Sequence, residues 1–156
     1  MTEKNNSQQM LVSQVFREGG QIPPQYTCKG QNVNPPINIT GAPSNTVSFV
    51  LIVHDPDAVG SDFTHWVLYD IPSSTGAIAA NSVPVGALQG KNGASKPIYT
   101  GPCPPAGTGT HHYKFDLYAL DKTLGLSGNP SREQVESSLK GHVLAQHTLT
   151  GLFSGD

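Results

Sequence analysis

The segment TVSFVLIVH, residues 46–54, constrains the fold more than any other stretch of the chain. It is β-branched and apolar at odd and even positions alike. Side chains alternate faces along a strand, so this one must be covered on both sides and predicts the centre of a sheet. THWVLYDI (64–71), HYKFDLYAL (112–120) and HVLAQHTLTGLF (142–153) read as further strands, and LVSQVF (11–16) alternates apolar and polar in the same way. The period of two puts Tyr113, Phe115, Leu117 and Ala119 on one face. It joins His111 to Tyr113, sets His112 opposite, and pairs His65 with Val67 and Tyr69.

One helix stands against these strands. Ser131 or Asn129 can cap it, Pro130 suits its first turn, and Gln134 follows Ser131 at capping-box spacing. The body SREQVESSL ends before Gly141, a residue type that stops helices. The rest is rich in turn formers, for the chain holds 17 Gly and 13 Pro. The stretch GGQIPPQYTCKGQNVNPPINI carries two Pro-Pro pairs and must be extended. Residues 73–110 are mostly Gly, Ser, Pro, Thr and Asn, and a loop-rich span of that length is more often functional than incidental. A length of 156 residues fits one domain, expected over 11–156 after a polar disordered tail over 1–10. Many strands with one late helix predict a mainly β protein, a two-sheet antiparallel Greek-key β-sandwich with one short C-terminal helix.

Several function classes drop out. The net charge is −2 and no basic block exists, which argues against nucleic acid as a partner. No apolar run reaches the length of a membrane span. The start MTEKNNSQQM lacks the apolar core of a secretory signal, so a cytoplasmic location is expected. Cys28 and Cys103 are too few for a disulfide scaffold or a zinc site. In that compartment both are expected as free thiols, although sequence leaves open that they meet in space. No metal or cofactor is expected, since paired histidines at helical spacing are missing.

Polar groups gather at strand ends in three places: His54-Asp55-Pro56-Asp57, Thr64-His65-Trp66, and Tyr99 to Pro105 followed by Gly107 to Tyr113. Taken singly, each has an ordinary explanation. Asp-Pro-Asp after a strand is common turn chemistry, a strand-end histidine often only packs, and GPCPP makes a stiff loop. Together, DPDAVG with FTHWVLYDIP and then YTGPCPPAGTGTHHYKFDLYALD resemble the paired signature segments of the phosphatidylethanolamine-binding protein family. YTCKGQNVNPPINI and GHVLAQHTLTGLF are similar to flanking segments of its bacterial and archaeal branch, and the likeness runs from about residue 11 to 154.

The resemblance implies a ligand pocket formed by Asp55, His65, His111 and Tyr113. Gly101, Cys103 and Pro104 would form its rim, and Phe63 and Ala58 its wall. Val59 stands where the family usually has a proline, often after a cis bond, so this loop lacks that proline. The resemblance further implies a small anionic ligand, phosphate or a phospholipid head group, and a protein target such as a kinase or a protease. A homodimer is one assembly it allows. An aspartate suits an anion pocket if it accepts a hydrogen bond from a histidine, fixing its tautomer and favouring its protonated form. Charge-assisted hydrogen bonds contribute roughly 1.5–3 kcal/mol each, so a small head group should bind at micromolar affinity or weaker. Two alternatives compete with this non-enzymatic binding module. One is a serine protease inhibitor acting through an exposed loop within 73–98. The other is a hydrolase using Asp55, His65 and His111, with Cys103 as its thiol.

Overall fold

A computed structural model describes residues 9–156. The elements run β1 (Leu11–Val12), β2 (Gly20–Gln21), a 3-10 turn (Pro24–Tyr26), β3 (Ile37–Ile39), β4 (Ser48–Asp55), β5 (Phe63–Pro72), β6 (Ala77–Ile78), β7 (Leu88–Gln89), β8 (Thr110–Leu120), α1 (Arg132–Leu139) and β9 (Val143–Ser154). Six strands form a large sheet in the order β2-β9-β8-β4-β5-β7, and β1-β3-β6 form a small one. β5 pairs with one side of β4, and the chain then crosses over to place β8 on the other side, the crossover of a Greek key. The fold is therefore mainly β, with two sheets and one short helix, as the sequence predicts.

Every residue of β4 is buried, in keeping with its two-faced apolar pattern. Phe49, Leu51 and Val53 point into the core between the sheets, with Trp66, Leu68, Phe115, Leu117 and Ile37. Val50 and Ile52 point the other way, beneath α1, with Val67, Tyr69, Val135 and Leu139. The helix starts as its sequence implies. The Ser131 hydroxyl accepts from the Gln134 N–H, and the Gln134 side chain returns a bond to the Ser131 N–H.

Four expectations are corrected. LVSQVF supplies only the two residues of β1 to a ladder, because its partner β3 is itself only three residues long. The sandwich is not wholly antiparallel, since β2 runs parallel to β9 with Gly20 opposite Gly151. Of the expected tail, residues 1–8 lie outside the described residues, and Met10 is fully buried in the core. His65 does not share a face with Val67 and Tyr69. Thr64 pairs with His54 while Trp66 pairs with Val53, so one extra residue, His65, is inserted as a β-bulge. The bulge turns His65 and Trp66 to the same inner side and sends Val67 and Tyr69 to the helix side.

Candidate functional site

The inner face of the large sheet ends in a cavity of about 370 Å³. All nine residues picked out in the sequence line it: Asp55, Ala58, Phe63, His65, Gly101, Cys103, Pro104, His111 and Tyr113. Val59, Ser61, Thr100 and Pro105 complete the lining.

Asp55 is the last residue of β4 and carries two loads. Its Oδ1 accepts the Asp57 N–H at 2.8 Å, which is turn chemistry, and its Oδ2 accepts from His111 Nδ1 at 2.7 Å. The ordinary and the functional readings of Asp-Pro-Asp thus hold together on one carboxylate. Both partners of the Asp55–His111 pair are buried, with 4% and 3% of their side-chain surfaces exposed. His111 follows from β8, whose alternation also brings Tyr113 inward and leaves His112 outside against Asp57. Burial, with the charge and hydrogen bonding of Asp55, pushes the Tyr113 phenol well above its ordinary pKa, so it stays a protonated donor.

His65 comes from the bulge. Its backbone carbonyl accepts the Thr100 N–H at 3.0 Å, while its Nδ1 donates to the Thr100 carbonyl at 2.6 Å. The bulge therefore ties β5 to the proline loop and fixes the imidazole, leaving Nε2 without a bond to the chain among the described residues. Burial lowers the His65 pKa, outweighing the hydrogen bond to Thr100 and the Asp55 charge. The Tyr113 ring lies between the two histidines, 5.3 Å from His65 and 6.3 Å from His111 by centroids. Phe63 meets the other side of His65 edge-on at 4.9 Å.

The rim is held from below. Gly101 N–H donates to Asn32 Oδ1 at 2.7 Å, and a Cβ there would come within 2.5 Å of that atom and of the Tyr26 carbonyl. Only glycine permits this approach. Cys103 is not a free thiol. It forms a disulfide with Cys28, with a Cα–Cα separation of 5.3 Å across 75 residues of chain, because the loop lies directly on the 26–32 segment. Pro102, Pro104 and Pro105 have no N–H, so Cys103 carries the one backbone donor of residues 102–105.

A family model, phosphatidylethanolamine-binding protein, matches residues 12–154. The chain belongs to that family. A UPF0098 protein of Pyrococcus horikoshii is 44% identical over 150 residues, which span 92% of this chain and 76% of the relative. A Mycobacterium tuberculosis protein named for a lipoprotein, LppC, is 39% identical over 93% of this chain and 72% of its own length. Among solved structures, a phosphatidylethanolamine-binding protein homologue of Chlamydia trachomatis superposes with a TM-score of 0.89 at 34% identity, covering 97% of this chain and all 100% of its own. YbcL of Escherichia coli gives a TM-score of 0.86 at 29% identity over 93% and 97% of the two chains.

Sequence reasoning missed four groups of this family's pocket in the present chain. Thr100 anchors His65 through its backbone, which no side-chain pattern reports. Thr108 Oγ1 lies 2.9 Å from His111 Nε2, and its hydroxyl also reaches the Pro105 carbonyl at 2.7 Å. Asn32 holds Gly101, and Cys28 holds Cys103. The last pair had one available signal: two cysteines, each next to a proline- or glycine-rich extended segment. Every described peptide bond is trans, including those around Val59. Among the described residues no set of His, Cys, Asp and Glu is arranged to hold a metal ion.

Proposed function

We propose that the cavity binds a small anionic group, phosphate-like or carboxylate, and that the protein works as a binding module rather than an enzyme. The observation that carries this reading is the convergence of His65, His111, Tyr113 and Asp55 on one cavity beneath a rigid rim. Asp55 is already engaged by His111 and its own turn, so both of its oxygens are hydrogen-bonded before a ligand arrives. His65 Nε2, the Ser61 hydroxyl and the Cys103 N–H are donors suited to the anion, once His65 is protonated. A phosphorylated or carboxylate-bearing target, a kinase included, would present its anion here. Cys103, the thiol of the hydrolase alternative, is in the disulfide.

Sulfate and phosphate binding tests this. Burial lowers the His65 pKa, and an anion favours the protonated ring, so binding should take up a proton and strengthen on the acid side of the ordinary histidine value. Thermal shifts in millimolar sulfate should be larger at about pH 5.5 than at about pH 8, and His65→Ala should abolish the difference. Equal shifts at both values, unchanged by His65→Ala, would remove the pocket from the account.

One observation favours a second reading. Val85 is 94% exposed within the 73–98 segment, with Val83 and Leu88 also exposed nearby. A solved carboxypeptidase Y inhibitor, in complex with its proteinase, shares the fold at a TM-score of 0.56 and 19% identity, over 88% of this chain and 76% of its own. Inhibition of a serine protease lost in Val85→Asp and kept in His65→Ala would establish that reading. For location, the disulfide and the lipoprotein name of one relative support an oxidising compartment over the cytoplasm expected from the N-terminal residues. Thiol alkylation of protein taken directly from cells, followed by mass measurement, decides between the two.

A further inference from the structure

The disulfide is in an unusual place for a staple. Cys28 and Cys103 are both exposed, and Cys103 lines the cavity. Nor is the bond the only tie between the rim and the segment beneath it. The Cys28 N–H donates to the Pro102 carbonyl at 3.0 Å, Gly101 N–H to Asn32 Oδ1 at 2.7 Å, and the Tyr99 hydroxyl to the Tyr26 carbonyl at 2.7 Å. The C-terminal residues add another, for Gly107 N–H donates to Asp156 Oδ1 at 2.8 Å. The loop is thus held at several points whether or not the sulfurs are joined. A bond that can open without the loop leaving, exposed to solvent and bordering a ligand cavity, has the setting of a reactive disulfide.

We propose that Cys28–Cys103 is an exchange site for thiols that carry an anionic group. This rests on the anion-pocket reading. The anion is held near His65 while its thiolate attacks the Sγ of Cys103, the disulfide partner that lines the cavity. A bond forms between the incoming sulfur and Cys103 Sγ. The Cys103–Cys28 bond breaks, and its electron pair leaves on the Cys28 sulfur as a thiolate, which takes a proton from water. A second thiol molecule then displaces the first from Cys103, releasing the small-molecule disulfide and leaving two reduced cysteines. The thiol is the reductant, and two molecules are oxidised for each protein disulfide reduced. An anionic thiol is selected over a neutral one because binding raises its local concentration at one sulfur.

The test compares 2-mercaptoethanesulfonate with 2-mercaptoethanol on the intact protein at about pH 5.5, on the acid side of the ordinary histidine value. Rates are expressed per thiolate, which removes the difference in thiol acidity. The sulfonate should react at least about fivefold faster and saturate with concentration, and sulfate should compete. His65→Ala should erase the preference for the sulfonate. In Cys28→Ser, bis(2-sulfonatoethyl) disulfide should form a mixed disulfide on Cys103, seen by mass spectrometry, more readily than hydroxyethyl disulfide. Equal per-thiolate rates with no competition, in a protein that binds sulfate by thermal shift, overturn the exchange site and leave the anion pocket standing. A sulfonate preference that sulfate does not compete away, with no sulfate-induced thermal shift, overturns both, because selection runs through the pocket. Absence of both effects overturns both.

Discussion

His54 and Asp55 are neighbours in the chain and face opposite sides of the large sheet, and the two sides use the same residue types in opposite ways. Inside, one carboxylate serves several donors: Asp55 accepts from His111 and from the Asp57 N–H, beside the Tyr113 hydroxyl. Outside, one imidazole serves two carboxylates. His54 Nδ1 lies 3.0 Å from Asp62 and its Nε2 lies 2.8 Å from Asp116. Asp116 is in turn held by Thr148, and Asp62 by Arg132 from α1. Burial alone would lower the His54 pKa, but the hydrogen bonds and charge of Asp116, with Asp62, outweigh it and raise the value. On the inner side burial wins, and His65 is lowered. The two histidines are thus shifted in opposite directions, His54 by two hydrogen-bonded carboxylates and His65 by burial with its Nδ1 on a carbonyl.

The largest expected break in this contrast is Asp55→Ala. It leaves His111 and Tyr113 buried without their acceptor, and removing one partner of a buried pair costs about 3–5 kcal/mol. Urea unfolding measures it. The outer counterpart, Asp62→Ala, should cost under about 1 kcal/mol because the Asp62 side chain is 38% exposed. Equal losses would mean that the two faces do not differ in the way described.

Next comes the disulfide. Replacing both Cys28 and Cys103 with Ser releases a closure across 75 residues, worth about 4 kcal/mol in the chain-entropy account. The double variant should fold, keep its outer-face chemistry, and unfold at lower urea. A stability unchanged from the parent would show that the hydrogen bonds to Asn32 and Pro102 hold the rim unaided.

The smallest effects are the pH slopes, and their signs are opposed. The raised His54 value means that its contribution is fully present below about 6.5 and is lost as pH rises through the folded-state value. The lowered His65 value means that stability falls as pH drops from about 6.5 through the folded-state value. Urea unfolding between about pH 5 and pH 9 should therefore lose its alkaline-side decline in His54→Asn and part of its acid-side decline in His65→Phe. A single slope abolished by both variants would put the two histidines in one network.

How much of this was legible follows from the range of the forces involved. β4, β5, β8, β9 and α1 came from local patterning and cap chemistry, which residues such as Val50, Ile52 and Ser131 carry in themselves. All nine pocket residues were named from the family resemblance, and they do line one cavity. The bulge was not legible, because a period of two is broken only by the register that β4 imposes on β5. The small sheet was also hidden, since strands of two or three residues have no period to detect. The disulfide, the Asn32–Gly101 bond and the Thr108–His111 contact join segments whose meeting depends on the finished loop paths.

The pairing of β2 with β9 reaches from Gly20 to Gly151. The same closure carries the His147 imidazole, whose Nδ1 accepts the Met10 and Leu11 N–H groups, and the Glu18 carboxylate, which accepts the Thr150 N–H. On the ribosome, about 130 residues must be added before these partners exist, a delay on the order of 10 s at ordinary elongation rates. During that interval β1 can pair with β3, but Phe16 and Ile22, both buried in the finished protein, lack the β9 strand whose Gly151 they pack against. Covering of the 16–22 segment therefore waits for the last strand to be made.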